Sequence, residues 1–339
     1  MNTQETPKSA ELKPDPHQAG RSQAEEWKQL LARNFLVVIL VALCVTMGFL
    51  HPVFLSGGNI SNILFQAAFV GLAGCGMTIL IAGGMIDLSE SGVVAIAAIA
   101  IAMVLPSTTI GGALVTALIL GAGLGLINGL LVAYVKIAPF IATLGSLYLF
   151  LGLAFISTGQ KVVPIVSTNY RMFTTGSIGP LPVPFLVFVL CAIITGFILH
   201  HTYFGRAVRA LGSNEVAASL AGLPVRRVKL LAFVFAGLTY ALSAVFMSGR
   251  LSSAEGNMAT GFEMSVIAAV VVGGTALRGG NGTVVGTAVG ALLFAVINNS
   301  MNLLGIASYW QYVVTGVVLV LAIALGSARS GGSRIRGEG

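Results

Sequence analysis

An all-α polytopic membrane protein, with about ten transmembrane helices and both termini cytoplasmic, is the fold this sequence predicts. Three observations carry it: 56% of the 339 residues are hydrophobic against 9% charged, the apolar residues gather in ten runs, and the cations fall mostly on one side of those runs. A soluble domain carries about 25% charged residues, and its surface would leave so much apolar sequence in water. The 43 glycines fit the same setting, because small residues let membrane helices approach closely.

The chain opens with a polar stretch, 1–30, that contains Pro7, Pro14 and Pro16 and reads as a disordered cytoplasmic tail. No apolar run starts before about Phe35, which argues against a signal peptide. The apolar segments follow at roughly 34–50, 60–82, 92–105, 112–135, 139–157, 184–200, 230–248, 264–277, 283–303 and 309–326. A simple crossing needs about 20 apolar residues. The segments 92–105 and 264–277 fall short of that, so they are expected to be broken, re-entrant or buried in the bundle, with eight or nine crossings as the alternative count. Residues 328–339 read as a second cytoplasmic tail, which leaves 31–327 as the membrane domain.

Placing the N-terminus inside puts 15 Lys and Arg on the cytoplasmic side and only Lys161, Arg171 and Arg250 outside. Without the tails the split is still 7 to 3, as the positive-inside rule requires. The net charge of +7 is therefore a topological signal. Scattered between apolar segments, these cations form no patch that would follow a nucleic acid backbone. Cys44, Cys75 and Cys191 lie in apolar runs and read as free thiols.

The run Leu126-Ile-Asn128-Gly, followed by Ile137-Ala-Pro-Phe140 and Thr143-Leu-Gly145, has an echo at Val296-Ile-Asn298-Asn299, Ile306-Ala-Ser-Tyr309 and Thr315-Gly316. The copies lie five segments apart, which would make them an inverted repeat of the kind found in transporters. Chance similarity between glycine-rich apolar runs is the competing reading.

No Walker motif is present, and the histidines show no metal-ligand spacing. Nothing points to an enzyme or a bound cofactor. The informative segment is the cytoplasmic stretch 200–229. There Ser213 or Asn214 would cap a short helix over 215–221, Glu215 would sit in its first turn, and Gly222 and Pro224 would end it. Small residues at Ala217 and Ala218 suit a groove on a partner protein, although an ordinary connecting helix satisfies the same rules. Polar groups inside apolar runs are the pathway candidates: Gln66, Asn128, Asn298, Asn299, Asn302 and Gln311. Each either bonds between helices or faces a wet cavity. Arg250, Glu255 and Glu263 fall in the outer loop, where a binding partner would meet them.

Glu215-Val-Ala217-Ala218 with Gly222 resembles the coupling segment of ABC-importer permeases. Gly205-Arg-Ala-Val-Arg-Ala-Leu-Gly-Ser-Asn-Glu215, the run 267–282 ending Gly-Gly-Thr-Ala-Leu-Arg-Gly-Gly-Asn-Gly, and 298–311 are similar to the ribose-type monosaccharide permease family. Ile86-Asp87-Leu88-Ser89 resembles that family's Gly-Ile-Asp-Leu-Ser signature and adds Asp87 to the pathway candidates. The likeness runs in order from about residue 60 to 325. It implies a pore made with a second copy of the chain in a bacterial inner membrane, a cytoplasmic subunit that binds the ATP, and a periplasmic sugar-binding protein. The alternatives are a related permease for branched-chain amino acids or nucleosides, an ion-coupled carrier, and a membrane scaffold. Where the family continues Asp-Leu-Ser with Val-Gly-Ser, this chain has Glu90-Ser91-Gly92. The added acid either affects gating or solute preference, or forms a capping box with Asp87.

Overall fold

The computed structural model describes residues 35–331, so the expected tail 1–30 and residues 332–339 lie outside the described residues. In chain order the helices are α1 (Phe35–Leu50), α2 (Gly57–Ala82), α3 (Glu90–Val104), α4 (Ile110–Ala133), α5 (Pro139–Thr158), α6 (Thr168–Thr175), α7 (Val183–His201), α8 (Tyr203–Ser213), α9 (Glu215–Leu220), α10 (Val225–Leu251), α11 (Phe262–Val272), α12 (Val284–Leu303) and α13 (Tyr309–Gly331). Each of the ten apolar segments overlaps one of the longer helices. Seven of these are long and apolar enough to cross a membrane: α2, α3 extended by a 3₁₀ turn to Ser107, α4, α5, α7, α10 and α12. The apolar stretches of α1, α11 and α13 are shorter, and α13 continues beyond residue 328 into the expected tail.

Helix α2 is the axis of the bundle. Its most apolar stretch is 83% buried, against 28% for α4 and α5 and 22% for α7. The reason is composition: Ala67, Ala68, Gly71, Ala73, Gly74 and Gly76 leave room for neighbours on every side. Against it pack α7, α10, α11 and α12, while α1, α4, α5 and the far face of α7 turn large apolar side chains such as Phe49, Ile119, Tyr148 and Phe197 outward. In a bilayer, apolar packing gives little drive for association, so close backbone contact must supply it. The α4–α10 seam shows this directly. A Cβ on Gly121 would collide with the Gly237 carbonyl, one on Gly237 with the Gly121 carbonyl, and one on Gly125 with the Phe233 carbonyl.

Two pairs of two-residue strands lie in the segments after α5 and α10. β1 (Val163–Pro164) pairs antiparallel with β4 (Ser253–Ala254), and β2 (Ser177–Ile178) with β3 (Leu181–Pro182). Tyr170 in α6 ties this cap to α10, its hydroxyl donating to the Val245 carbonyl at 2.7 Å.

Stretch 200–229 folds as two helices, α8 and α9, where a loop with a single short helix was expected. The Thr202 side chain caps α8 by accepting from the Gly205 N–H at 3.1 Å, which starts the extra helix. Of the two expected caps for α9, Asn214 takes the role, its Oδ1 accepting from the Ala217 N–H at 2.9 Å. The Ser213 hydroxyl donates back to the Arg209 carbonyl at 2.9 Å and closes α8.

Candidate functional site

Two breaks in the helical backbone meet beneath α9. Helix α2 stops at Ala82 because Gly84 turns with φ +73°, which lets the Met85 N–H bond the Leu80 carbonyl at 2.9 Å. Helix α11 stops in the same way at Gly274, φ +93°, with the Thr275 N–H on the Val270 carbonyl at 3.2 Å. Irregular backbone inside a bundle persists only where protein groups satisfy it. Thr143 does so for the first break, accepting from the Leu88 N–H at 3.1 Å and donating to the Pro139 carbonyl at 2.9 Å. Thr275 does so for the second, accepting from the Thr283 N–H at 3.2 Å. The Gly280 N–H then donates to the Ala82 carbonyl at 2.9 Å and joins the two breaks. Gly212, at the end of α8, lies so close to the Ala82 carbonyl that no Cβ would fit. The segments 83–89, 205–215 and 273–282, far apart in sequence, thus converge at the foot of α9.

The α9 helix leads away from this junction and is open to solvent. Asn214, Glu215, Val216, Ala217, Leu220 and Gly222 are exposed, as is Ser213, whereas Ala218 is buried and seats the helix. Val216 and Leu220 are 68% and 85% exposed, an apolar edge with no cover among the described residues. Glu215 Oε1 receives the Lys229 ammonium at 2.6 Å, which links α9 to α10.

The pathway candidates separate into three places. Asp87 Oδ1 accepts from the Ser89 N–H at 2.8 Å and the Ser89 hydroxyl at 2.6 Å, and Ser89 Oγ accepts from Asn128 Nδ2 at 2.7 Å. These residues are fully buried between α2, α3 and α4, and Tyr240 of α10 adjoins the Asp87 carboxyl. Asn299 is buried on α12 and exchanges two amide bonds with Asn59 of α2, at 2.9 and 2.7 Å. Asn302 and Gln311 bond across the α12–α13 turn at 3.0 Å. Asn298 and Gln66 are half-buried.

Three residues depart from the sequence reading. Asp87 bonds Ser89 in a local turn, and both Glu90 oxygens are buried without a partner among the described residues, so the capping box does not form. Glu263, expected on the outer loop, sits in the first turn of α11 at 8% exposure, with its charge near Glu90. It turns inward because α11 packs against α3. Arg250 is exposed in the last turn of α10, donating to Asn62 Oδ1 at 2.6 Å with its guanidinium 4.7 Å from the Phe65 ring centroid, while Glu255 is half-buried beyond it.

Sequence reasoning missed Asn59, Ser89, Thr143 and Tyr240. Asn59 was the most accessible of them, since Ser56 caps α2 through the Asn59 N–H and so marks a start earlier than residue 60.

A bundle of apolar helices long enough to cross a membrane, with two backbone breaks joined beneath an exposed capped helix, has the form of a membrane permease. The chain belongs to the family described as branched-chain amino acid transport system / permease component, which matches residues 59–323. Within it, the ribose import permease protein RbsC of Bacillus subtilis is 41% identical over 302 residues, covering 87% of this chain and 91% of that one. The ribose import permease protein of Escherichia coli is 38% identical over 299 residues, 87% and 93% of the two chains. The L-arabinose ABC transporter permease protein AraH of Azospirillum brasilense is 32% identical over 304 residues, 89% of each. No solved structure matches.

Proposed function

We propose that this chain forms the transmembrane pore of an ATP-driven importer for a monosaccharide, ribose or a related pentose. The identity to ribose import permeases across nearly the whole length of both chains carries this reading. In it, ten helices cross a bacterial inner membrane with both ends in the cytoplasm, and two copies of the chain enclose the path. A separate cytoplasmic subunit binds and hydrolyses the ATP, and a periplasmic binding protein delivers the sugar near Arg250 and Glu255. The exposed α9 helix, residues Ser213 to Gly222, is the contact for the ATPase. Its movement reaches the junction of the two backbone breaks through Gly212 and alternates access to the pore. Asp87, Asn128, Asn298, Asn299, Asn302, Gln66 and Gln311 are the residues proposed for the path or for the helix contacts that shape it.

The test is reconstitution of the complete transporter in liposomes, with labelled ribose, arabinose, leucine and uridine offered by their binding proteins. Pentose uptake that requires ATP supports the proposal. Uptake of leucine or uridine alone would move the chain to another branch of the family. Sugar accumulation by this chain alone, driven by an ion gradient, would make it a secondary carrier. Ala217→Arg should leave the protein folded yet cut sugar-stimulated ATP hydrolysis at least tenfold, since a charge would enter the α9 face. Unchanged stimulation would remove α9 from the coupling path.

A further inference from the structure

A concave site lies beside α9, at the end of the bundle where the seven non-tail cytoplasmic cations were placed. Its volume is about 460 Å³, and the α4–α5 turn, α9 and the start of α10 line it. Three cations face it, Lys136, Arg226 and Lys229, with one acid, Glu215. The acid is held by Lys229 at 2.6 Å, so Lys136 and Arg226 supply the uncompensated charge. No carboxylate among the described residues forms an ion pair with either. The backbone that carries Lys136 is held, and Arg226 rests on a ring. Lys136 stands in a left-handed turn, φ 65°, that neighbouring backbone bonds hold, with Val135 on the Leu130 carbonyl and Ile137 on the Leu131 carbonyl. Arg226 packs over the Tyr134 ring with its guanidinium 5.8 Å from the centroid.

The surface just outside the hollow is apolar and uncovered among the described residues. Tyr134 and Val135, just after α4, and Phe140 and Ile141, in the first turn of α5, are 50–63% exposed. These helices turn apolar side chains outward along their length, as lipid-facing helices do. A cationic hollow bordered by such a surface fits an amphiphile with a negative head and apolar tails. Cations that serve only to orient the chain need no hollow.

We propose that this hollow binds the phosphate headgroup of an anionic phospholipid from the cytoplasmic leaflet. The proposal rests on the cytoplasmic placement of α9 and not on the identity of the transported solute. Each cation near a lipid surface contributes about fivefold to binding, so removing both should weaken it roughly thirtyfold.

The experiment is native mass spectrometry of the full chain from nanodiscs of phosphatidylglycerol and phosphatidylcholine, with and without inorganic phosphate. The expected result is selective retention of phosphatidylglycerol, lost in the Lys136→Gln/Arg226→Gln double variant and kept in Lys136→Arg and in Arg227→Gln, whose side chain does not line the hollow. Retention unchanged in the double variant would overturn the proposal. Displacement of the lipid by inorganic phosphate at millimolar concentration would overturn the lipid source in favour of a soluble phosphate. Loss of the lipid when the ATPase subunit assembles would assign the hollow to that protein. Because wild-type selectivity is read independently, a double variant that fails to fold leaves the lipid preference and the Lys136→Arg result to decide.

Discussion

At the scale of single residues, the buried polar groups divide into those that are satisfied and those that are not. The Asn59–Asn299 pair is satisfied from both sides, so removing one partner strands the other amide in the bundle. Asn299→Ala should lower stability by about 1–3 kcal/mol, and the double alanine variant should cost less than the sum of the singles. Thermal unfolding in detergent reads both effects, and simple additivity would show that the bonds are not coupled. Glu90 is the opposite case, a fully buried acid whose oxygens have no partner among the described residues and whose neighbours include Asp87 and Glu263. Glu90→Met is nearly isosteric and should raise stability by about 1–3 kcal/mol, because an unsatisfied group is removed. A stabilised variant with full transport makes Glu90 dispensable. A stabilised one with reduced transport makes it part of the machinery, and a destabilised one would refute the unsatisfied geometry.

Among the elements, the α4–α10 seam depends on glycine at fixed spacing. Gly121→Val should destabilise the bundle by at least about 1–3 kcal/mol, since the new side chain meets a carbonyl that cannot move aside. Gly123→Ala, on the same helix with nothing within 4 Å of the added carbon, should be nearly silent. Equal melting temperatures for the two variants would contradict the seam. The helices themselves were legible, because each apolar run is a local property of composition. Of the two short segments, 264–277 does contain a break, at Gly274, whereas 92–105 lies in α3, which with its 3₁₀ turn is long enough to cross. The Asn214 cap was legible for the same reason, since a cap acts on a backbone N–H three residues away. The convergence of Ala82, Gly212 and Gly280 was not. It joins positions up to about 200 residues apart through main-chain contacts that leave no periodic trace. Glu263 misled the reading because an acid beside a loop looks solvated until the helix that follows is packed.

For the whole molecule, the charge split makes a topological prediction. Reporter domains fused after residues 136 and 214 should be found in the cytoplasm, and those after 161 and 255 in the periplasm. A periplasmic reporter after residue 214 would invert the bundle and remove both the coupling reading and the lipid site. The glycine seam carries a further consequence, one of stiffness. Side chains yield by changing rotamer, but at Gly121 and Gly237 backbone rests on backbone, so that joint has almost no compliance. Lys229, in the first turns of the same rod, pairs with Glu215 of α9, so on the proposed ATPase contact a load applied at α9 would pass to α10 and, through the seam, to α4. Spin labels placed on α4 and α10 should therefore keep a constant separation through the nucleotide cycle, the two helices swinging as one lever arm.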